Sequence, residues 1–344
     1  MKNIIVLLSF LFFNLATMIA QSDKELLALD NYLIPKGKKG AVVGSIPALH
    51  GDKFVLAKDT SGLFMINKLG QIQLKKGKML TEASPYRYEI VIATKTENKV
   101  FELVKDDFIR NKVIAHRGAW KNHDASQNSL KSLQKAIEIG CEASEFDVWL
   151  SSDNSVVLSH DPVIGGKTVE DTPANELFNI QLKDGNYLPG LEEYISCIKT
   201  QNKTRLVLEV KASQKGVERS EAVADSAVQI VHRMNAQAWV DYITFSFDAA
   251  KRIRELDPTA HILYLESDKA LEDLKKAKMS GIDYHISNFE KDKGLAQRAK
   301  GLGLLTNAWT VNKEEDMKAM LQQGLDYITT DEPELLLKLI NTSN

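Results

Sequence analysis

The stretch Val113–Asp161 reads VIAHRGAWKNHDASQNSLKSLQKAIEIGCEASEFDVWLSSDNSVVLSHD. An apolar strand, Val113 to Ala115, ends on His116-Arg117-Gly118. From Ser129 to Gly140 the apolar residues Leu130, Leu133, Ala136 and Ile137 recur at helical spacing, and Gly140 closes the run. A second strand, Ala143 to Leu150, carries Glu145 and Asp147 two residues apart, so both side chains leave the same face. Phe146, Val148 and Leu150 take the other face, which suits packing under helices. A turn at Ser151 to Ser155 folds Val156 to Ser159 back along this strand and brings His160 beside Asp147.

Working outward, the chain after Val113 alternates strand and helix. Strands are expected at Leu206–Val210, Tyr242–Phe245, Ile262–Leu265, Tyr284–Ser287, Leu304–Thr310 and Tyr327–Thr330. Helical runs are expected at Leu191–Ile198, Val217–Met234, Ala249–Leu256, Leu271–Met279, Gly294–Ala299, Lys313–Gln323 and Glu334–Ile340. With Val156–Ser159 as an antiparallel return, eight parallel strands remain, the pattern of a (β/α)8 TIM barrel. A doubly wound open sheet is the alternative, but no glycine-rich dinucleotide loop follows the first strand.

Inside a barrel, Glu145 and Asp147 would repel each other and lose hydration unless a cation lay between them. Hard divalent ions such as Ca²⁺ and Mg²⁺ accept these oxygens. The run Leu206–Lys211 ends on a second same-face pair, Glu209 and Lys211, at the C-terminal end of a strand. Glu209 is a candidate third metal ligand, and Lys211 a point charge for a phosphate oxygen. His116 and His160 both end strands and are candidate acid/base groups. Arg117 offers a planar donor fork to phosphate. His123 has a weaker claim; His50, His232, His261 and His285 read as structural or surface residues. Trp309, at a strand end, reads as barrel core.

The first part of the chain differs. Lys2, the apolar run Ile4–Phe13 and the small residues Ala16 to Ala20 read as a signal peptide over residues 1–20, which implies a secreted or periplasmic protein. Residues 21–108 hold short apolar runs separated by turns, at Ala41–Ile46, Phe54–Ala57, Leu63–Ile66, Gln71–Leu74, Tyr86–Ala93 and Val100–Val104. That spacing predicts a small all-β sandwich. Asp106 to Lys112 reads as a linker, and residues 109–344 as the barrel domain. Two cysteines, Cys141 and Cys197, make no disulfide framework and read as buried thiols. The net charge of −2 disfavours nucleic acid as a partner, and no further stretch is apolar enough to span a membrane.

Two resemblances follow. His116-Arg117-Gly118, Gln127-Asn128-Ser129, Glu145-Phe-Asp147, His160-Asp161, Glu209-Val-Lys211, Trp309-Thr-Val-Asn312 and Thr330-Asp331-x-Pro333 stand in the order of the glycerophosphodiester phosphodiesterase family, which residues 113 to about 340 resemble. The resemblance implies a barrel with an insertion after Asp161, for which Pro162–Pro189 fits. It implies a divalent metal on Glu145, Asp147 and Glu209, acid/base work by His116 and His160, and phosphate contacts from Arg117 and Lys211. It also implies that Trp309 walls the glycerol or leaving group. The reaction implied is hydrolysis of glycerophosphodiesters to glycerol 3-phosphate and an alcohol, by direct water attack or through a cyclic phosphate. One departure stands out: Gln127 occupies a position where the family carries Glu. Residues 37–104 more weakly resemble a cadherin-like repeat, through Val43-Gly44, Phe64-x-Ile66 and Gly70-x-Ile72, without its acidic calcium motifs. The rival readings are a related-barrel phospholipase on intact lipids and a non-catalytic binding protein.

Overall fold

The computed structural model describes residues 26–47 and 54–342. The leader expected at 1–20 and His50 lie outside the described residues. Seven strands come first: β1 (Leu33–Ile34), β2 (Val42–Ser45), β3 (Val55–Asp59), β4 (Phe64–Ile66), β5 (Gln71–Leu74), β6 (Arg87–Ala93) and β7 (Asn98–Lys105). They form two sheets, ordered β1-β7-β6-β3 and β2-β5-β4. Alternation explains the layering. In β6, Tyr88, Ile90 and Ile92 are buried while Arg87 and Glu89 are exposed. The buried set joins Phe64, Ile72 and Leu74 of the other sheet in one apolar cluster, and the Phe64 and Tyr88 rings meet edge-on at 5.7 Å. The short β1, which pairs parallel to β7, was not expected from the sequence.

The second part begins with β8 (Val113–Ala115), α1 (Leu130–Ile139), β9 (Ala143–Leu150) and β10 (Val156–Leu158). The helix α1 starts at a capping box between Ser129 and Ser132 and ends at Gly140, whose φ is 81°. The Pro162–Pro189 insertion holds a small hairpin, β11 (Val163–Ile164) and β12 (Lys167–Thr168), and one helical turn, α2 (Ala174–Leu177). Then follow α3 (Leu191–Ile198), β13 (Arg205–Val210), α4 (Val217–Arg233), β14 (Val240–Thr244), α5 (Phe247–Leu256), β15 (Ile262–Tyr264) and α6 (Leu271–Lys276). The chain ends with β16 (Gly281–His285), α7 (Ile286–Lys291), α8 (Leu295–Gly301), β17 (Leu305–Trp309), α9 (Glu314–Gln322), β18 (Tyr327–Thr330) and α10 (Pro333–Thr342).

Eight of these strands pair in parallel, in the order β8-β9-β13-β14-β15-β16-β17-β18, and β18 returns to β8. This is a closed (β/α)8 barrel, with β10 antiparallel on β9 as expected. The register is staggered from strand to strand, so inward side chains fall in layers drawn from alternate strands. One layer is Ile114, Val207, Leu263 and Asn307. The next is Glu145, Ile243, Asp283 and Thr329, followed by His116, Glu209, Leu265 and Trp309. The outward face of β9 is apolar: Phe146 stacks near Tyr194 of α3 at 4.6 Å between centroids, and Val148 and Leu150 are buried in the same cluster.

One expectation needs correction. The strand expected at Tyr284–Ser287 is β16, Gly281–His285, and a short helix replaces its second half. Asp283 in the middle of an apolar run reads as a break, but here it is an inward barrel position. Gly281 opens the strand because a Cβ there would lie 2.4 Å from the Leu305 carbonyl oxygen. The segment Asp106–Lys112, read as a linker, packs against the barrel: the Phe108 ring meets Trp239 at 6.3 Å, and Ile109 N donates to Lys203 O at 2.8 Å. Cys141 and Cys197 are free thiols, the first buried. Among the described residues no helix is long and apolar enough to cross a membrane.

The two-layered part covers one end of the barrel. Leu26 N donates to Leu256 O at 2.7 Å, and the Tyr86 hydroxyl to Lys199 O at 3.0 Å. With Lys203 and Trp239, these partners lie just before β13, β14 or β15 begins. The contact is therefore with the N-terminal end of the barrel, opposite the strand ends that carry the charged motifs.

Candidate active site at the barrel mouth

The C-terminal strand ends surround a cavity of about 160 Å³. Its charged wall comes from β8, β9 and β13: His116, Arg117, Glu145, Glu209 and Lys211, with His160 from the end of β10. Its apolar wall comes from β14, β15 and β17: Ile243, Phe245, Leu265 and Trp309. The expected site residues thus converge; Asp147 sits beside this wall, fully buried and bound to Lys211.

Among the described residues, Glu145, Asp147 and Glu209 form a cluster whose carboxylate oxygens lie within 4.8 Å of one another. The turn after β8 feeds this cluster. Arg117 adopts a positive φ of 58°, and its backbone N donates to Glu145 Oε2 at 2.8 Å. Gly118 is required next, since a Cβ there would meet Ser132 Oγ at 2.4 Å. Asn128 Nδ2 donates to Asp147 Oδ2 at 2.9 Å, and Asp147 N donates back to Asn128 Oδ1 at 3.3 Å. Lys211 Nζ lies 3.2 Å from Asp147 Oδ1 and 2.8 Å from Glu209 Oε1.

The electrostatics follow from burial. Burial and the neighbouring carboxylates hold Glu145 well above the usual carboxylate range. Burial, with Asp147 nearby, pushes Glu209 up to about 8 despite Lys211. Burial would raise Asp147 too, but Lys211, His160, Asn128 and Arg117 outweigh it and hold that acid below its ordinary value. Burial would depress Lys211, yet Asp147 and Glu209 hold it above. Three hard oxygen donors that cannot all ionise comfortably without a cation are a set that suits a divalent ion.

The two histidines differ in their partners. His116 Nδ1 donates to Asp331 Oδ1 at 2.7 Å. Asp331 is held in turn by Asn312, whose Nδ2 donates to Oδ2 at 2.8 Å and whose Oδ1 accepts Asp331 N at 2.9 Å. His160 Nδ1 pairs with its exposed neighbour Asp161 at 2.7 Å. Burial, Lys211 and Arg117 lower the His160 pKa, against the pull of Asp147 and Asp161. Gln127 Oε1 accepts from Arg117 Nη1 at 2.7 Å. A neutral amide here orients the guanidinium without neutralising it, which leaves its charge for an anion.

Sequence reasoning quoted Asn128, Asn312 and Asp331 only within motifs and gave them no role. It passed over Asp283 and Thr329, which line the cavity floor. Alternation within a correctly bounded β16 would have found Asp283. His285, read as structural or surface, lies on the rim with its ring 5.2 Å from that of Trp309. His123 is tied to Glu334 of α10 at 2.5 Å. His232 is buried against Asp257 at 2.7 Å.

Comparison with known proteins centres on the barrel. Residues 116–335 match the model of the glycerophosphoryl diester phosphodiesterase family. A glycerophosphodiester phosphodiesterase of Caldanaerobacter subterraneus subsp. tengcongensis is 27% identical over 242 residues, covering 66% of this chain and 97% of that protein. The crystal structure of a glycerophosphodiester phosphodiesterase from Parabacteroides distasonis is 38% identical, with a TM-score of 0.66 over 69% of this chain and 99% of that one. An Oleispira antarctica phosphodiesterase, solved with its product sn-glycerol-3-phosphate, is 26% identical, with a TM-score of 0.60 over 67% and 96%. The match begins at the histidine that ends β8 and runs past the aspartate that holds it, so it spans every strand end of the mouth. On that match and the 38% identity, this chain belongs to the glycerophosphoryl diester phosphodiesterase family and is a phosphoric diester hydrolase.

Proposed function

We propose that the protein hydrolyses glycerophosphodiesters to glycerol 3-phosphate and an alcohol, and that it does so with a divalent ion, Ca²⁺ or Mg²⁺, held by Glu145, Asp147 and Glu209. The observation that carries the reading is the cluster of these three buried carboxylates beside a cavity that two histidines line. A bound divalent ion supplies Lewis acidity toward a phosphoryl oxygen.

The chain's own groups do the rest. Arg117 and Lys211 face the cavity and hold the non-bridging phosphate oxygens. With Nδ1 donating to Asp331, His116 presents Nε2 as an acceptor, suited to take the proton of the attacking oxygen. His160, on the lining of the same cavity, protonates the departing alkoxide. Phe245, Leu265 and Trp309 exclude water from one side of the substrate. Export through the leader at residues 1–20 belongs to the same proposal.

The test is release of glycerol 3-phosphate from a panel of glycerophosphodiesters. Activity should disappear with a chelator and return with a divalent ion. Glu145→Gln should stay folded, bind the ion more weakly and lose about 1000-fold or more in rate. Full turnover by metal-free protein would overturn the metal assignment, and no release from any diester would overturn the substrate.

A further inference from the structure

Asp283 is a buried carboxylate that none of the steps above uses. It is 1% exposed, burial pushes its pKa up to about 7 against a contact from Asn307, and its Oδ1 has no hydrogen-bond partner in the protein. An unpaired acceptor at that depth is costly and uncommon, and a native structure keeps one where something else completes it. Its place in the fold says what that is. Asp283 belongs to the same inward layer as Glu145 but on the opposite strand, β16, so it faces the acidic cluster across the cavity floor. Thr329 of the same layer is tied to Asn307, whose Nδ2 donates to Thr329 Oγ1 at 2.8 Å. Directly above, Trp309 is anchored to the same strand, its Nε1 donating to Asp283 O at 3.0 Å. The Trp309 ring is also braced edge-on by Phe245 at 5.6 Å.

A fixed aromatic surface beside an unsatisfied buried acceptor matches one chemistry well. Carbon-bound hydrogens lie against the ring while hydroxyl groups donate to the carboxylate. The cavity of about 160 Å³ has room for a three-carbon unit on its floor, with a variable alcohol directed to the open mouth. We propose that Asp283 and Trp309 form a polyol subsite in which the carboxylate accepts from a hydroxyl of the glycerol part of the substrate. The proposal rests on the functional reading above for its ligand. An ammonium group on the leaving alcohol is the other donor that could meet a carboxylate among aromatic rings. It is less favoured because Asp283 lies at the floor rather than the rim.

The test is a binding measurement on the full protein with calcium present. Affinities are determined by calorimetry for sn-glycerol 3-phosphate and for propyl phosphate, which is the same molecule without its two hydroxyls. Measured above the Asp283 pKa of about 7, the unaltered protein should prefer glycerol 3-phosphate by about 10- to 100-fold, as one hydrogen bond to a charged group allows. Asp283→Val should bring the two within about threefold, by lowering the glycerol 3-phosphate affinity alone. Asp283→Asn keeps an acceptor and the side-chain shape, so its preference should be intermediate; it also carries the test if the valine variant does not fold. An unchanged preference in either folded variant overturns the subsite. So does a loss of affinity for phosphocholine with the hydroxyl preference intact, which would assign Asp283 to a cationic leaving group. Hydrolysis by the unaltered protein is scored separately. If it fails while the hydroxyl preference still depends on Asp283, the functional reading falls and the subsite stands.

Discussion

At the N-terminal end of the barrel, buried acids meet donors; at the C-terminal end, three carboxylates converge. The first end holds Arg205 against Asp241 at 2.5 Å, the Lys112 backbone N on Glu142 at 2.6 Å, and His232 on Asp257 at 2.7 Å. The two-layered N-terminal part lies over it, with a cavity of about 80 Å³ between them. Asp241, Glu142 and Asp257 each have a donor within the protein. At the mouth, Lys211 and Arg117 do not balance the acids, and Glu145 and Glu209 are driven toward their protonated forms. The same burial that stabilises one end leaves the other wanting a ligand. A charged residue is informative about function when its neighbours fail to satisfy it, not merely because it is charged.

The sharpest way to break this contrast is at the two histidines. Changing either to Ala should cost about 10²- to 10⁴-fold on a natural glycerophosphodiester. With a nitrophenolate leaving group, which needs little protonation, the His160→Ala variant should recover most of its rate. The His116→Ala variant should not, because the attacking oxygen still needs its base. Rates for both substrates at saturating metal check this, and equal losses on both substrates would replace the acid/base division with a positioning role.

A smaller and different effect is expected at the other end. Burial would raise the Asp257 pKa, but His232 and the Thr259 contacts outweigh it and hold the carboxyl below its ordinary value. A depressed folded-state value means that Asp257 contributes stability above its unfolded pKa of about 4 and loses it as pH falls through the folded value. Asp257→Asn should therefore lower stability near neutrality, by about 3 kcal/mol for a broken buried pair, with the deficit shrinking in acid. Turnover of the folded variant should stay unchanged. Denaturant melts between pH 7 and pH 3, with rates at pH 7, check both halves.

The smallest effect on rate is expected from the largest deletion. A chain beginning at Asp106 loses the layers that cover the N-terminal end but no residue of the mouth. Its turnover of a small soluble diester should change by less than about twofold, since distant sites act independently. Its melting temperature should fall, because Phe108, Trp239 and the Leu256 region lose their cover. A folded, inactive product would mean that the two ends are coupled.

Much of this was readable along the chain. Glu145 and Asp147 alternate with Phe146 and Val148, and an alternation of period two needs only local backbone geometry to separate an inner face from an outer one. The same holds for Glu209 and Lys211, and for the Ser129–Gly140 helix with its cap residues. Strand ends marked by His116 and His160 were visible because the apolar runs before them stop abruptly. Asp283 was missed because one charge inside a short strand hides the strand itself, and only its partners in β15 and β17 fix the boundaries.

The sequence by itself determined the succession of strands and helices, the inward faces that carry acids, and the family to which those motifs point. Only the tertiary structure decided which strand ends meet. His116 finds Asp331, 215 residues later, because β18 closes onto β8. Asp283 faces Glu145 because the stagger of a closed barrel brings alternate strands to one level. The N-terminal layers cover the far end because the segments before β13, β14 and β15 offer them Lys199, Trp239 and Leu256. Local alternation carries no information about closure, register around a ring or docking, since each of these depends on contacts between segments far apart in the chain.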